Sequence, residues 1–140
     1  MTEQVKFHFD IDGENFTSAG EASVRIKRLL REMGFSPEII RRVSVAMYEG
    51  EINMVIHANG GNADVLVSHD KIEIILADSG PGIADIELAM KEGFSTAPDN
   101  IRSLGFGAGM GLPNMKRYTD DMRIESEVGK GTTIYMTVNV

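Results

Sequence analysis

Cysteine is absent from the chain. That absence removes disulfides, thiolate nucleophiles and cysteine-based zinc sites together. The three histidines, His8, His57 and His69, are too scattered in sequence to suggest a metal cluster. No apolar run reaches the roughly 18 residues that a membrane-spanning helix needs, and no basic stretch is followed by an apolar one at the N-terminus. Residues 1–10 alternate instead as a strand does. Membrane and secretory readings are therefore excluded, and the cytoplasm is the expected compartment. Positive charge is also scarce: 14 Lys and Arg stand against 21 Asp and Glu, for a net charge of −7 and a pI near 4.9. A nucleic-acid partner, which requires a basic footprint, is not expected. Internal repeats, low-complexity segments and linkers are missing as well.

What remains is an ordinary soluble composition, 42% hydrophobic and 25% charged over 140 residues, which predicts one globular domain spanning residues 1–140. Val5, Phe7, Phe9 and Ile11 alternate with Lys6, His8 and Asp10, the pattern of a half-buried strand. Thr17 or Ser18 is positioned to cap a helix running to about Met33, with Glu21 three residues after Ser18 as in a capping box. Its apolar face is Ala22, Ile26, Leu29, Leu30 and Met33. Gly34 stops that helix, and Ser36-Pro37-Glu38 starts a second that runs to about His57. Residues 63–67 and 71–77 read as strands around a His69-Asp70 turn, and 122–127 with 132–138 as a hairpin around Val128-Gly129-Lys130-Gly131. The stretch from Gly80 to Gly111 is polar and glycine-rich, with a short helix near residues 86–91. Loops of that length in a compact domain are usually functional. The order β-α-α-β-β-loop-α-β-β predicts a two-layer α/β sandwich, a mixed and mostly antiparallel sheet with helices on one face. Strictly alternating βαβ units are missing, so a doubly wound fold is not expected.

Two glycine clusters stand out. Asp78-Ser79-Gly80-Pro81-Gly82 closes an apolar run, and Gly105-Phe106-Gly107-Ala108-Gly109-Met110-Gly111 opens a helix-like segment about one loop later. Glycine lets backbone N–H groups approach a ligand without a Cβ in the way, and a helix N-terminus aims unpaired donors at anions. Both features suit a phosphorylated ligand, held by backbone amides, a metal ion and a few local cations. Either cluster alone reads equally well as loop punctuation, so the context decides.

That context is the second helix, where Glu49, Asn53 and His57 recur at i, i+4 and i+8 and share one face. Val43, Met47, Met54 and Ile56 serve its apolar side. An Asn oxygen is a hard ligand suited to Mg²⁺, and Glu49 one turn away could accept a proton from a hydroxyl attacking a terminal phosphate. The plain alternative makes these residues, like Glu51, the solvated stripe of an amphipathic helix. Asn is a mediocre mid-helix residue, and the glycine clusters lie in the same chain, which favours the chemical reading. Asp78 emerges at the sheet rim, where a partly buried carboxylate needs donors. The exocyclic amine of adenine is a suitable one, with Gly80 and Gly82 letting the base lie close. The alternative is a loop aspartate capping its own turn.

One motif is a decoy, and two other motif readings are excluded. Gly129-Lys130-Gly131-Thr132-Thr133 resembles the end of a phosphate-binding P-loop, but Ile124 stands where its first glycine is required, so it reads as a hairpin turn. Thr132 or Thr133 at the start of the last strand could still reach the pocket. Gly105–Gly111 has the spacing G-x-G-x-G-x-G rather than a dinucleotide fingerprint. No H-R-D-type catalytic loop occurs, which excludes a eukaryotic-type protein kinase.

Taken in order, Glu49-x-x-x-Asn53-x-x-x-His57, Asp78-x-Gly80-x-Gly82, Gly105-x-Gly107-x-Gly109-x-Gly111-Leu112 and Gly131-Thr132 resemble the N, G1, G2 and terminal Gly-Thr boxes of the GHKL superfamily. This superfamily includes gyrase, histidine-kinase and MutL-type ATPases and carries the Bergerat ATP-binding fold. Within it, Ala89–Thr96, Gly111-Leu112-Pro113-Asn114-Met115-Lys116-Arg117 and Ile124-Glu125-Ser126-Glu127 resemble the small bacterial anti-sigma-factor serine/threonine kinases, in particular the switch kinases. Gly50-Glu51-Ile52 inside the N box and residues 97–104 in the lid depart from the anti-sigma pattern.

The resemblance implies ATP and Mg²⁺ as cofactors, Glu49 as catalytic base, Asn53 as the Mg²⁺ ligand and Asp78 as the adenine reader. It implies Gly105–Gly111 as the phosphate-binding hinge of a mobile lid. His57, Gly80, Gly82, Ile83, Met110, Leu112 and Thr132 complete the implied nucleotide site; from sequence proximity alone, lid closure is expected to exclude water and hold Lys116 or Arg117 nearer the phosphates. The implied reaction passes the γ-phosphoryl group to a Ser or Thr of a STAS-domain antagonist, with a sigma factor or PP2C-type phosphatase as further partners and a homodimer left open. A nucleotide-gated partner-binding module without significant transfer is the alternative. A detached histidine-kinase ATPase half and an ATP-hydrolysing clamp rank lower, since His8 is expected in a strand and a clamp needs a further transducer domain, whereas residues 1–140 are expected to form one domain.

Overall fold

A computed structural model describes residues 4–12, 20–58, 60–83, 86, 90 and 111–140. The alternating segments form five strands: β1 (Val5–Asp12), β2 (Gly60–Val67), β3 (Lys71–Ala77), β4 (Asp121–Glu127) and β5 (Gly131–Asn139). They make one sheet in the order β1-β2-β3-β5-β4, and every pairing in it is antiparallel. The period-2 pattern fixes the register, because sliding a strand by one residue would turn its apolar side chains to the other face. Phe7, Val65, Ile74, Met136 and Met122 thus lie in one row across the sheet. Phe9, Ala63, Leu76, Ile134 and Ile124 form the next.

Against this face pack α1 (Glu21–Glu32), α2 (Pro37–Ala58) and α3 (Gly111–Arg117), so the expected two-layer arrangement is present. Ile26, Leu30, Met47, Ile72, Ile74, Met115 and Met136 are at most 1% exposed, and burying each such side chain contributes about 2 kcal/mol. Helix α2 starts as its sequence predicts, with the Ser36 hydroxyl accepting from Ile39 N–H at 3.3 Å and Pro37 in the first turn. It is buried around much of its circumference because α1, the sheet and α3 all pack on it. At Gly50 an added Cβ would collide with Leu76 Cδ1 and lie 3.6 Å from Met115 Sδ, so glycine lets α2 sit close to β3 and α3.

Helix α1 departs from its expected start. Its N-cap is Gly20, which has no side-chain cap, so the helix begins later than a Ser18 capping box would place it; Thr17 and Ser18 lie outside the described residues. On the opposite sheet face His8 Nδ1 lies 2.6 Å from Asp64 Oδ1, its cross-strand partner, and Nε2 lies 3.1 Å from Asp10. These hydrogen bonds, that to Asp64 first, raise the imidazole above its ordinary 6.5. Of the short helix expected near residues 86–91, Ile86 and Met90 are described, and Met90 N–H donates to Ile86 O at 3.0 Å.

Candidate functional site

The face of α2 that carries Glu49 and Asn53 is only half-buried, beside the start of α3. Glu49 Oε1 accepts a hydrogen bond from Asn114 Nδ2 at 3.2 Å. Its other oxygen lies toward Gly111, where an added Cβ would be 3.9 Å from Oε2. One turn further along α2, the Asn53 amide has no hydrogen-bond partner among the described residues, which leaves its oxygen available to a cation. His57 sits in the last turn of α2, and its side chain lies outside the described residues.

Asp78 follows β3 and is held on both sides of its peptide. Its N–H donates to Thr132 O at 2.9 Å, and its Oδ1 accepts from Gly80 N–H at 3.0 Å and Thr132 N–H at 3.1 Å. The turn-capping alternative and the ligand reading are therefore compatible: Oδ1 caps the turn, while Oδ2 has no partner among the described residues. The loop closes down onto its neighbours. A Cβ on Gly80 would be 2.6 Å from Ala58 Cβ, and one on Gly82 would strike Glu127 O. Ile83 N–H donates to Ser126 Oγ at 2.7 Å, Ser126 Oγ is 2.8 Å from Thr132 Oγ1, and Gly129 N–H donates to Pro81 O at 2.8 Å. The loop after β3 is thereby pinned to the β4–β5 hairpin, whose turn lies where the sequence predicts it, with Glu127 paired to Gly131.

Two expected site residues face inward. Thr132 is 6% exposed and serves Asp78 through its backbone, and Leu112 is 7% exposed and joins the core. Ile83 packs on the core edge. Gly111 begins α3, while Gly105, Gly107, Gly109 and Met110 lie outside the described residues. Arg117 Nη1 donates to Asn114 Oδ1 at 3.2 Å.

The largest correction concerns Glu51, expected on a solvated stripe. It is 1% exposed, and its carboxylate accepts from the N–H groups of Gly20 (2.9 Å), Ala22 (3.3 Å) and Ser23 (2.6 Å). It supplies from α2 the cap that α1 lacks. Burial pushes the carboxyl above its ordinary 4.5, and the three N–H bonds pull the other way. The available signal was its spacing: Val43, Met47, Glu51 and Val55 follow one another at i+4, so Glu51 falls on the buried stripe.

Gly131 offers a direct check of this packing. It has φ +129°, and an added Cβ would run into the Asp78 carbonyl oxygen, whereas Gly129 at φ +83° has open space around it. Gly131→Ala is expected to cost about 3 kcal/mol and Gly129→Ala about 1 kcal/mol in urea unfolding. Equal costs would contradict the clamp between Asp78 and Gly131.

Comparison with known proteins shows the family and the fold. Residues 15–138 match the family described as "Histidine kinase-like ATPase domain". The chain is 33% identical over 112 residues to the serine/threonine-protein kinase RsbT of Bacillus subtilis, covering 77% of this chain and 78% of that protein. It is 32% identical over 138 residues to the anti-sigma F factor of Clostridium acetobutylicum, covering 95% and 90%. Its fold is shared with the crystal structure of the RsbU and RsbW domains of a Mycobacterium tuberculosis protein, with a TM-score of 0.64 at 17% identity over 96% of this chain and 32% of that one. No helix among the described residues is long and apolar enough to cross a membrane. The chain belongs to the histidine kinase-like ATPase family of the GHKL type, an ATP-using family, in the branch that holds bacterial anti-sigma factors and serine/threonine-protein kinases.

Proposed function

We propose that residues 1–140 act as one ATPase domain that transfers the γ-phosphoryl group of ATP to a Ser or Thr of a small STAS-type antagonist, and so regulates a sigma factor or stress pathway. The observation that carries this reading is the half-buried Glu49 carboxylate, aimed at the start of α3 and one helical turn from Asn53, which has no partner among the described residues. The names of the relatives, a serine/threonine-protein kinase and an anti-sigma factor, support it.

Each residue has a definite task. Asp78 Oδ2 accepts from the exocyclic amine of adenine, while Oδ1 stays with Gly80 and Thr132. Asn53 offers its amide oxygen to Mg²⁺, which when bound neutralises charge on the phosphates. Glu49 takes the proton of the attacking hydroxyl, whose oxygen bonds to the γ-phosphorus as the bond to the β–γ bridging oxygen breaks and ADP leaves. The fit is good on the donor side, because both acceptor oxygens assigned to ligands are unpartnered among the described residues.

The test mixes the protein with candidate antagonists and Mg-ATP labelled at the γ-phosphate. Label is expected on a Ser or Thr of the antagonist with the native chain, and transfer is expected to be lost with Asn53→Ala. Tight ATP binding with no transfer to any antagonist would favour the nucleotide-gated binding module.

A further inference from the structure

Asn114 stands on the first turn of α3, 65 residues from Glu49, yet its amide meets the Glu49 carboxylate. The two ends of that amide are used differently. Nδ2 donates to Glu49 Oε1 at 3.2 Å, and Oδ1 accepts from Arg117 Nη1 at 3.2 Å. Arg117 can only donate, so its bond fixes which end of the amide is oxygen and leaves the NH₂ facing the carboxylate. The buried neighbours Leu112 and Met115 anchor α3 in the core, so the amide is carried on a fixed support.

We infer that Asn114 is a positioning residue for Glu49, oriented in turn by Arg117. It occupies Oε1 and so leaves Oε2, the oxygen on the Gly111 side, as the one that receives the proton. This rests on the phosphoryl-transfer reading above. A carboxylate on a flexible side chain loses effectiveness as a base when it samples many rotamers, and a single donor at one oxygen removes much of that freedom. The arrangement also ties the base to the helix that follows the second glycine cluster.

Asn114→Asp is the informative variant. It keeps an oxygen for Arg117 and nearly the same shape, but the atom facing Glu49 changes from donor to acceptor. The expected result is a fall in kcat of about tenfold or more, with ATP affinity and the antagonist KM within about threefold of native. Glu49→Gln, measured in parallel, separates the two claims. Native kcat in Asn114→Asp together with lost transfer in Glu49→Gln overturns the positioning role and leaves the reading of the base standing. Retained transfer in Glu49→Gln overturns the reading itself. The contact is also read without activity. The Asn114 side-chain amide resonances in a ¹⁵N correlation spectrum are expected to shift in Glu49→Ala and in Arg117→Ala, and unchanged resonances in both would overturn the inference.

Discussion

Glu51→Ala is expected to destabilise the protein by about 3 kcal/mol and to lower its melting temperature by roughly 10 °C, more than any substitution on the exposed sheet face. Three backbone N–H groups at the start of α1 lose their acceptor, inside a region where Ala22 is 5% and Ser23 4% exposed, and water cannot readily replace it. Each buried donor left without a partner costs about 1 kcal/mol or more, and a lost helix cap is of the same size. Against a total stability of about 5–15 kcal/mol, such a loss is large. Glu51→Gln separates shape from charge, since its amide oxygen can still accept.

The pH dependence has a definite sign. Burial sets the folded-state pKa of Glu51 above its ordinary 4.5, so between those two values the folded protein holds a proton that the unfolded chain has released. The stability that this proton confers is complete below 4.5 and is lost as pH rises through the folded-state pKa. Urea titrations of native protein and Glu51→Gln should therefore show the native advantage shrinking as pH is raised from about 4.5 toward neutrality. An advantage that grows over that range would show that the three N–H bonds outweigh desolvation.

Asp78→Asn is the second large effect, on binding rather than on folding. Asparagine can keep its Oδ1 on Gly80 N–H and Thr132 N–H, and the Asp78 N–H bond to Thr132 O does not involve the side chain, so the turn is expected to survive. The outer atom, however, changes from acceptor to donor, so under the proposed reading the adenine amine would meet another donor. Two opposed donors in a partly desolvated site cost about 3 kcal/mol or more, so ATP affinity should fall on the order of a hundredfold or further. Inosine triphosphate, which presents an oxygen at the same position, should lose much less. Isothermal titration with both nucleotides checks this, and equal losses for the two would remove Asp78 as the reader of the base.

The fold was largely legible because alternation and helical period are local properties of the chain. The rows through Phe7 and Phe9 follow from the period-2 pattern once the strands pair, and Ser36-Pro37 marks the start of α2 where it is found. What escaped was decided by distant partners. The i+4 spacing from Val43 and Met47 puts Glu51 on the buried stripe, but its role as a cap shows only when α1, 28 to 31 residues earlier, brings its N–H groups to it. Asn114 carries no signal of its own, since its meaning comes from Glu49 across 65 residues. Ser126 likewise shows its role only when β4 brings it beside Thr132 and Ile83. Of the proposed site, Glu49, Asn53 and Asp78 can be singled out from the sequence because helical spacing and a strand end are written locally. Thr132 and Leu112, both expected in the site, are buried and act through backbone or packing.

The most direct test is a single-turnover reaction in which the native chain and Glu49→Gln are each saturated with γ-labelled Mg-ATP and mixed with an antagonist that accepts the label. With Glu49 as the base, both proteins bind ATP with similar affinity, the native chain delivers the label to a Ser or Thr, and Glu49→Gln is slower on the order of a hundredfold or more. Undiminished transfer by Glu49→Gln would contradict the assignment.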